Sequence, residues 1–521
     1  MNKLLANRYA IALLVLVLLA TAVFSFGVMR SIELPEPGQR YERLLVVDAQ
    51  LVNLDTGNIE AGTNVLIEGG KIIGVGTDLR KQLEGKSFTT MNVKGGYLIP
   101  GLFDMHVHSL RLSPALHHPL YIANGVTAVR DMGGCLDDQD PWIACAPDKR
   151  SWNIEADQGQ RVAPRYDVVT GLAVDGGQEI PSGFDPGLGV PDADHALMRV
   201  LHDQARQLDF IKPYSSLSRP AYLALAADAE EFGLYLAGHK PFAVTGLDAV
   251  AAGQRSIEHA FLFIWECYPG MAELRRGGDI KAAFTPDMRQ RMIAQHDRKS
   301  CKALQHAMKE SGTAFVPTHT TRKLDAYAAE SAFRDDPRLR YIPGPLKMLW
   351  QGDADNMVER GGDGGAESYR AFYEFGLSQT GSAYAAGVRI MAGSDAPDSF
   401  VFPGSGLHDE LEHLVQAGLS PLAALRAATV EPARFLDLAG QAGVIAPGAR
   451  ADLVVLKDNP LEDINAVRTV DTVILSGAIY DRRELDKLLE GVATAAGRWD
   501  LWPKFLWQGL RSPIMRKQFA D

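Results

Sequence analysis

Eight short apolar runs alternate with longer helical stretches through the middle of the chain, and this alternation constrains the fold more than any other feature. The runs occupy residues 102–108, 126–130, 166–170, 210–212, 234–239, 256–259, 314–318 and 388–395. Apolar runs separated by helical stretches are typical of parallel strands joined by crossover helices. Eight such units predict an α/β fold of the (β/α)8 TIM-like barrel type, whose active site lies at the carboxyl ends of the strands.

Short β-rich runs flank this region at both ends. They occupy residues 44–48, 64–67 and 71–75 before it, and residues 451–456 and 470–475 after it. Turn residues such as Gly69 and Gly70 separate the early runs, which indicates hairpins. We therefore expect a small composite β-sandwich built from residues 41–99 and 441–485, with the barrel spanning residues 100–440.

The N-terminus is an almost uninterrupted apolar stretch over residues 9–29, preceded by Lys3 and Arg8. Its length suits a bilayer core, so residues 1–30 are predicted to form a transmembrane signal-anchor or a cleaved signal peptide. The basic residues would stay inside, which places the catalytic body outside the cytoplasm, in a periplasmic or extracellular location. The protein would then be membrane-anchored or secreted.

The C-terminal tail, residues 486–521, interleaves tryptophan with basic residues, among them Trp499, Trp502, Trp507 and Arg511. Such a pattern suits a membrane interface, because aromatic rings and the stems of long cationic side chains contact the apolar layer there while their polar ends stay in water. A tail that docks on the globular body has the same pattern, and the sequence leaves both open.

Charge and cysteine usage restrict the partners. The formal net charge of −11 argues against nucleic-acid binding and favours small-molecule substrates. The four cysteines include no C-x-x-C pair, which argues against a thiolate metal site. Disulfides Cys135–Cys145 and Cys267–Cys301 are plausible outside the cytoplasm, and four unpaired buried thiols are the alternative. A homo-oligomer is left open.

Polar residues end several of the apolar runs. His106 and His108 lie two apart in the first run, so they project from one face of a strand. Lys212, His239, His259 and Asp395 end later runs, and the set suits Zn²⁺ or a similar divalent ion. A lysine buried there needs an anionic partner or chemical modification, because an unpaired buried charge is costly.

These motifs resemble the amidohydrolase superfamily, within it the imidazolonepropionase-like and prolidase-like branch. The resembling segments are Pro-Gly-Leu-Phe-Asp-Met-His-Val-His at 100–108, Gly-Val-Thr-Ala-Val-Arg-Asp-Met-Gly-Gly at 125–134, Phe-Ile-Lys at 210–212, Gly-His at 238–239, Ile-Glu-His at 257–259, Ala-Gly-Ser-Asp at 392–395, and residues 448–456 with 459–461. The resemblance covers roughly residues 43–480 and implies a metal-dependent barrel with a composite β-sandwich.

The resemblance also implies roles for the six residues. His106, His108 and Asp395 would hold one divalent ion, and His239 and His259 a second. Lys212 would be carboxylated by CO2, and its carbamate would bridge both ions, with zinc as the first expectation. Asp395 would take a proton from water and deliver it to the leaving amine.

The implied activity is hydrolysis of amide C–N bonds in small molecules, such as dipeptides or N-acyl amino acids. Hydrolysis of cyclic amides or deamination, as in imidazolonepropionase relatives, is the alternative, and a catalytically inactive barrel scaffold is a third. Tyr214, His319 and Arg322 are placed after strands where they could bind substrate. The stretches 135–165 and 320–378 interrupt the alternation and are expected to be insertions near the site.

Overall fold

Strands from both ends of the chain pair in one nine-stranded sheet in the computed structural model, which describes residues 2–176, 189–277 and 283–518. Its strands are β1 (Gln39–Arg40), β2 (Arg43–Val52), β3 (Ile59–Glu68), β4 (Lys71–Gly76), β5 (Thr89–Asn92), β6 (Tyr97–Pro100), β14 (Leu453–Leu456), β15 (Val470–Leu475) and β16 (Ala478–Tyr480). The order is β1-β16-β15-β14-β6-β2-β3-β4, with β5 beside β2. The runs predicted at the two ends thus meet, while their closure into a two-layered sandwich stays a prediction.

Parallel strands form the middle of the chain. They are β7 (Leu102–Val107), β8 (Val126–Asp131), β9 (Arg165–Tyr166), β10 (Phe210–Ile211), β11 (Tyr235–Gly238), β12 (Ser256–Glu258) and β13 (Ala314–Val316). These strands pair as β7-β8-β9 and as β10-β11-β12-β13. The parallel bridge Thr170–Phe210 joins the two groups directly, and the parallel bridges Phe315–Ile390 and Val107–Ala396 join their other edges through an eighth segment. The predicted TIM-like barrel is therefore confirmed. Its eighth segment, around residues 390–396, is held by these bridges.

Helices surround the barrel and extend the two ends. They are Asn2–Met29, Ser113–Leu116, His118–Ala123, Ala146–Asp157, Ala196–Ala205, Arg219–Glu231, Gly246–Ala251, Leu262–Glu266, Met271–Leu274, Pro286–Ala294, Arg298–Ser311, His319–Tyr327, Ser331–Arg334, Gly344–Gly361, Gly365–Ala385, Ser405–Gln416, Pro421–Ala427, Val430–Phe435, Arg482–Ala496, Leu501–Arg511 and Pro513–Gln518. The stretch that interrupts the alternation, 320–378, is mostly helical and contains helix Gly344–Gly361 and most of helix Gly365–Ala385, the two longest described helices after the first one.

The first helix is long and apolar enough over Arg8–Met29 to cross a membrane, and nearly all of its surface is exposed. The C-terminal helix Leu501–Arg511 packs against the end of that helix and also against the body, where the rings of Phe505 and Trp142 lie 5.1 Å apart. The tail therefore docks on the body, as one of the two alternatives predicted, and leaves its other face exposed.

Both cysteine pairs suggested by the sequence form disulfides, Cys135–Cys145 and Cys267–Cys301. The alternative of four unpaired thiols is wrong for this structure. Cys135–Cys145 closes the loop after β8, and Cys267–Cys301 ties the end of helix Leu262–Glu266 to helix Arg298–Ser311. Each pair therefore fixes a segment at the carboxyl-end side of the barrel or beside it.

Candidate metal centre

Asp395 lies among three histidines at the carboxyl ends of the barrel strands. Its Oδ1 is 3.3 Å from His106 Nε2 and 3.2 Å from His108 Nε2, and its Oδ2 is 3.6 Å from His259 Nδ1. Burial by itself raises the pKa of Asp395, but the neighbouring His106, His108 and His259 lower it well below its ordinary value. The carboxylate therefore stays ionised in the middle of the site.

His239 and His259 face one another on the other side of the site. Their Nε2 atoms are 2.9 Å apart, and their rings meet edge to face with centroids 4.5 Å apart. Burial, together with nearby positive groups, lowers the pKa of His239 well below its ordinary value and that of His259 to about 3. Both imidazoles are therefore neutral at pH 7, which is the form that ligates metals.

Lys212 follows β10 and is buried in the same site. Burial lowers its pKa, and the negative charges of Asp395, Glu258 and Asp131 act on it in the opposite direction. Gly238 makes room for its stem, because a Cβ at position 238 would lie 2.8 Å from Lys212 Cγ and 3.0 Å from the carbonyl oxygen of Pro213. The glycine before His239 is thus explained by the lysine beside it.

A buried carboxylate behind the cluster holds one of the histidines. Glu258 Oε2 is 3.0 Å from His106 Nδ1, while its Oε1 accepts hydrogen bonds from Arg130 and Ser256 at 2.8 and 2.5 Å. Burial raises the pKa of Glu258, but Arg130 and His106 outweigh it and bring the pKa to about 2. A carboxylate on Nδ1 fixes the ring and directs Nε2 into the site.

Sequence reasoning named Glu258 in a motif but gave it no role. The signal was present: a glutamate next to a histidine at the end of an apolar strand needs a cation, and Arg130 ends another such strand.

Asp104 was missed in the same way. It is fully buried and accepts hydrogen bonds from the backbone N–H of Ser394, at 2.8 Å, and from its hydroxyl, at 2.5 Å. Burial raises the pKa of Asp104 to about 7.

Two of the proposed ligands have an uncommon backbone. His259 and Asp395 adopt left-handed conformations, with φ of 76° and 67°, and so does Thr318 with φ of 46°. Non-glycine residues in this region cost of order 1–3 kcal/mol each and cluster at functional sites. The hydroxyl of Thr318 lies 2.9 Å from His259 Nδ1, so the strained backbone is coupled to the orientation of that ring.

The three residues predicted to bind substrate differ in position. The ring of Tyr214 lies next to that of His239, with centroids 4.2 Å apart and planes tilted by 32°, and Tyr214 is 40% exposed. The Arg322 guanidinium lies over the ring of Phe261 and pairs with Asp325, close enough to His259 for its charge to act there. The structure does not bring the His319 side chain into the site.

His319 is fully buried, and its Nε2 lies 2.8 Å from the Thr380 hydroxyl. The substrate-binding role predicted for His319 is therefore corrected. The physical reason is that His319 opens the helix His319–Tyr327, so its side chain packs against the neighbouring helix Gly365–Ala385, whereas Thr318 before it turns toward the site.

The donor set fits a divalent ion. Ligand atoms of His106, His259 and Asp395 all lie within 4.8 Å of one another. Within residues 2–176, 189–277 and 283–518, His106 Nε2 is one of the buried polar atoms that no hydrogen bond satisfies. Imidazole nitrogens and a carboxylate are the ligands that zinc and similar ions prefer. Cys267, His296 and Cys301 form a second cluster, but their thiols are joined in a disulfide.

Comparison with known proteins finds a family match for part of the chain and a shared fold for most of it. The sequence model of the Amidohydrolase family matches residues 376–480. Bottromycin amidohydrolase has a TM-score of 0.67 at 22% identity, covering 89% of this chain and 92% of that one. An Xaa-Pro dipeptidase with methionine bound in its active site has a TM-score of 0.59 at 20% identity, covering 84% and 100%. Residues 376–480 therefore match the Amidohydrolase family, and the chain as a whole shares its fold with these solved structures.

Curated proteins that the sequence resembles include adenine deaminases. The protein from Mesorhizobium japonicum is 22% identical over 440 residues, which cover 84% of this chain and 57% of that protein. The protein from Thermosipho melanesiensis is 38% identical over 94 residues, 18% of this chain and 15% of the relative. The chain thus spans less than two thirds of the length of these relatives. The fold of the chain is thus similar to that of the Xaa-Pro dipeptidase structure, and its sequence is similar to those of adenine deaminases.

Proposed function

We propose that the chain is a metal-dependent hydrolase that cleaves amide C–N bonds of small molecules such as dipeptides or N-acyl amino acids. The observation that carries this proposal is the position of Asp395, whose two carboxylate oxygens lie 3.2–3.6 Å from three histidines at the end of the barrel. The orphaned Nε2 of His106 supports a metal there. In this proposal His106, His108 and Asp395 hold one divalent ion, with zinc as the first expectation.

A second ion would be held by His239 and His259, with carboxylated Lys212 shared by both. Two features support this assignment. The two imidazoles already place their Nε2 atoms 2.9 Å apart, and burial disfavours the ammonium form of Lys212. The neutral amine is the form that attacks CO2: the N–C bond forms, one N–H proton leaves to solvent, and a carbamate anion results. Conversion to a carbamate avoids the free-energy cost of burying the lysine as an ammonium ion without a neutralising partner.

The chemistry that the ions supply when bound is acidification of water and polarisation of the scissile carbonyl. The chain's own residues supply the rest. In this proposal Asp395, which is ionised, holds the proton released by water and then returns it to the leaving nitrogen. Glu258 keeps His106 oriented, and Tyr214 and Arg322 are proposed to contact the substrate because they lie near His239 and His259.

Deamination is the second candidate, favoured by the curated relatives named adenine deaminase. It is also hydrolysis of a C–N bond and would use the same Asp395 chemistry, but on an amidine carbon instead of a carbonyl. The prolidase-like structures favour the first candidate. An inactive scaffold is disfavoured, because a scaffold needs no aligned cluster of histidines around an ionised carboxylate.

One experiment separates the candidates. The purified protein, loaded with zinc or manganese, is assayed against a library of dipeptides and N-acyl amino acids in parallel with adenine, and its metal content is measured. We expect close to two ions per chain and turnover of amides. Turnover of adenine alone would replace the first candidate with the second, and full activity with one ion or none would overturn the dinuclear centre.

The location of the protein is part of the proposal. Residues 1–30 would anchor the chain, since helix Arg8–Met29 is apolar and almost wholly exposed, and the catalytic body would lie outside the cytoplasm. The two disulfides support an oxidising compartment. The division into residues 41–99, 100–440 and 441–485 is retained as the proposed domain arrangement.

A further inference from the structure

The C-terminal helix is bound to the last turns of the N-terminal helix by several independent contacts. The ring of Trp499 stacks on Phe26 with centroids 6.4 Å apart, and Trp507 meets Phe24 edge-on at 6.3 Å. Pro503 occupies the space beside Gly27, where an added Cβ would lie 2.5 Å from the proline ring. The two helices are therefore in close contact along residues 24–27.

Polar contacts fix the same junction. Lys504 Nζ donates to the carbonyl oxygens of Val28 and Arg30 at 2.6 and 2.8 Å, and Arg498 donates to the carbonyl of Ser31 at 3.0 Å. Carbonyls at the end of a helix lack intrahelical partners, so a lysine placed there satisfies them. The C-terminal helix thus completes the end of the N-terminal helix.

This junction sets the depth of the C-terminal helix relative to a bilayer. Helix Arg8–Met29 has 22 residues and is about 33 Å long at 1.5 Å per residue, close to the thickness of a hydrocarbon core. Phe24 lies five residues before Met29, about 8 Å inside that apolar length. Whatever contacts Phe24 and Phe26 must lie at the same depth, so a spanning N-terminal helix carries Trp499 and Trp507 into the interface.

The free face of the C-terminal helix has the matching chemistry. Leu501 and Phe505 are buried against the body, while Trp502, Leu506 and Leu510 are 48, 55 and 60% exposed. The spacing of four residues puts these last three on one face of the helix. Tryptophan beside leucine, with basic residues at the ends of the segment, is the composition of segments that lie in the headgroup region.

We propose that Trp499 and helix Leu501–Arg511 form a second membrane-contacting element, whose partner is the interfacial region of a lipid bilayer, and that this element holds the open rim of the barrel against the bilayer. The second part rests on one hydrophobic cluster. It joins Leu501 and Phe505 to Leu110, which follows His108, and to Phe400, which follows Asp395. Loops that carry proposed metal ligands and the membrane-contacting helix therefore form one packed unit.

The insertion after β13 extends this unit. Gly344, at the start of helix Gly344–Gly361, lies against the indole of Trp502, where a Cβ would be 2.9 Å from Nε1. Ile342 and Leu346 belong to the same cluster as Phe505. Because these loops all follow carboxyl ends of barrel strands, the rim lies on the bilayer side of the barrel. Strand β4 belongs to the nine-stranded sheet, outside this packed unit, and ends that sheet at the edge opposite β1.

Site-directed spin labelling of the full chain in phosphatidylcholine vesicles tests the helix. Labels are placed at Leu506→Cys and Leu510→Cys, with Ile73→Cys on β4 as the control, since Ile73 is also apolar and is 40% exposed. The structure's four cysteines are all in disulfides, so only the added thiol reacts. We expect the ratio of collisions with oxygen to collisions with a water-soluble nickel chelate to be several-fold higher at 506 and 510 than at 73.

Two outcomes overturn the proposal. Equal ratios at 510 and 73 would mean that the helix faces water. Exclusion of both reagents at 510, with spin–spin broadening between labels, would mean that a second copy of the chain covers the helix. Since neither readout uses turnover, failure here is independent of the proposed hydrolase activity.

A label on the rim tests the second part. Met348 is 60% exposed on helix Gly344–Gly361. Vesicles containing a lipid with a nickel-chelating headgroup should enhance the relaxation of a label at Met348→Cys and leave the label at Ile73→Cys unchanged. Equal relaxation at the two positions would overturn the orientation of the rim, whatever the result at Leu510.

Discussion

Glu258 Oε2 lies 3.0 Å from His106 Nδ1, and Arg130 holds the other carboxylate oxygen at 2.8 Å. Glu258 thus connects the proposed ligand His106 to a buried ion pair with Arg130, which lies on another barrel strand. The position of the His106 ring therefore depends on a residue that is not itself one of the proposed metal ligands.

Replacing Glu258 with glutamine should weaken metal binding by about 10–100-fold, because a neutral amide holds the His106 N–H less firmly than a carboxylate. Competition with a chromophoric chelator measures this affinity. Glu410→Gln is the matched control: Glu410 is equally buried but accepts from the backbone of His319 and from Thr320, outside the cluster. Equal losses in both variants would show general destabilisation instead of a role at the centre.

Lys212→Ala should lose activity together with one of two bound ions, because His239 and His259 alone leave that ion under-coordinated. Lys212→Arg should fail equally, since a guanidinium cannot be carboxylated and would repel cations. Elemental analysis and turnover are measured together. Partial recovery of the alanine variant by short-chain carboxylic acids would support a bridge, whereas wild-type turnover and metal content in Lys212→Arg would rule it out.

The metal-free protein should lose stability as the pH falls from about 6.5 to 4, and His319 should account for part of the loss. Burial lowers its pKa to about 4, so the unfolded chain binds a proton in this window that the native chain does not. The difference corresponds to about 3 kcal/mol for this one buried group. His319→Gln should reduce the drop in thermal midpoint between pH 7 and pH 4.5, and an unchanged drop would contradict the assignment.

Removing Cys267–Cys301 should destabilise the fold more than removing Cys135–Cys145. The first closes a loop with a sequence separation of 34 and the second one of 10, so chain entropy predicts losses of about 4 and about 3 kcal/mol. Double alanine variants of each pair are compared by their thermal midpoints without reductant. A larger loss for the shorter loop would show that native packing, and not the entropy of the unfolded chain, sets the contribution.

The catalytic body should be protected from added protease in intact cells and become accessible once the outer barrier is opened, with the full-length chain in the membrane fraction. This follows from the exposed apolar helix Arg8–Met29 and the basic residues before it. Fractionation and immunoblotting with an antibody to the C-terminus measure both. Recovery of the full-length protein in the cytosolic fraction would contradict the anchor.

Strand periodicity was enough to find the barrel and most of the site. The two-residue spacing of His106 and His108 predicted a shared face, and both Nε2 atoms do lie within 3.3 Å of Asp395 Oδ1. Residues at strand ends converge because parallel strands of a barrel finish at one rim. The same rule brings Lys212, His239 and His259 together from three further strands.

Periodicity failed where the backbone leaves the strand conformation. Alternation would send Glu258 and His259 to opposite faces, but φ of 76° at His259 lets both side chains act on one site. Thr318, with φ of 46°, likewise turns toward His259 and leaves His319 at the start of a helix. Left-handed conformations of non-glycine residues are imposed by the surrounding structure, so no local sequence pattern predicts them.

Closure of the barrel has a consequence for how the protein folds during its synthesis. The bridge from Val107 to Ala396 and the hydrogen bond from the backbone N–H of Asp395 to the carbonyl of His106 join the first stave to the last. At a synthesis rate of about 5–20 residues per second, Asp395 is added to the chain about 15–60 s after His106. A long loop must also close before that contact stabilises anything. The proposed metal centre would therefore be complete only after the ribosome has made the eighth barrel segment, in the compartment where the barrel closes.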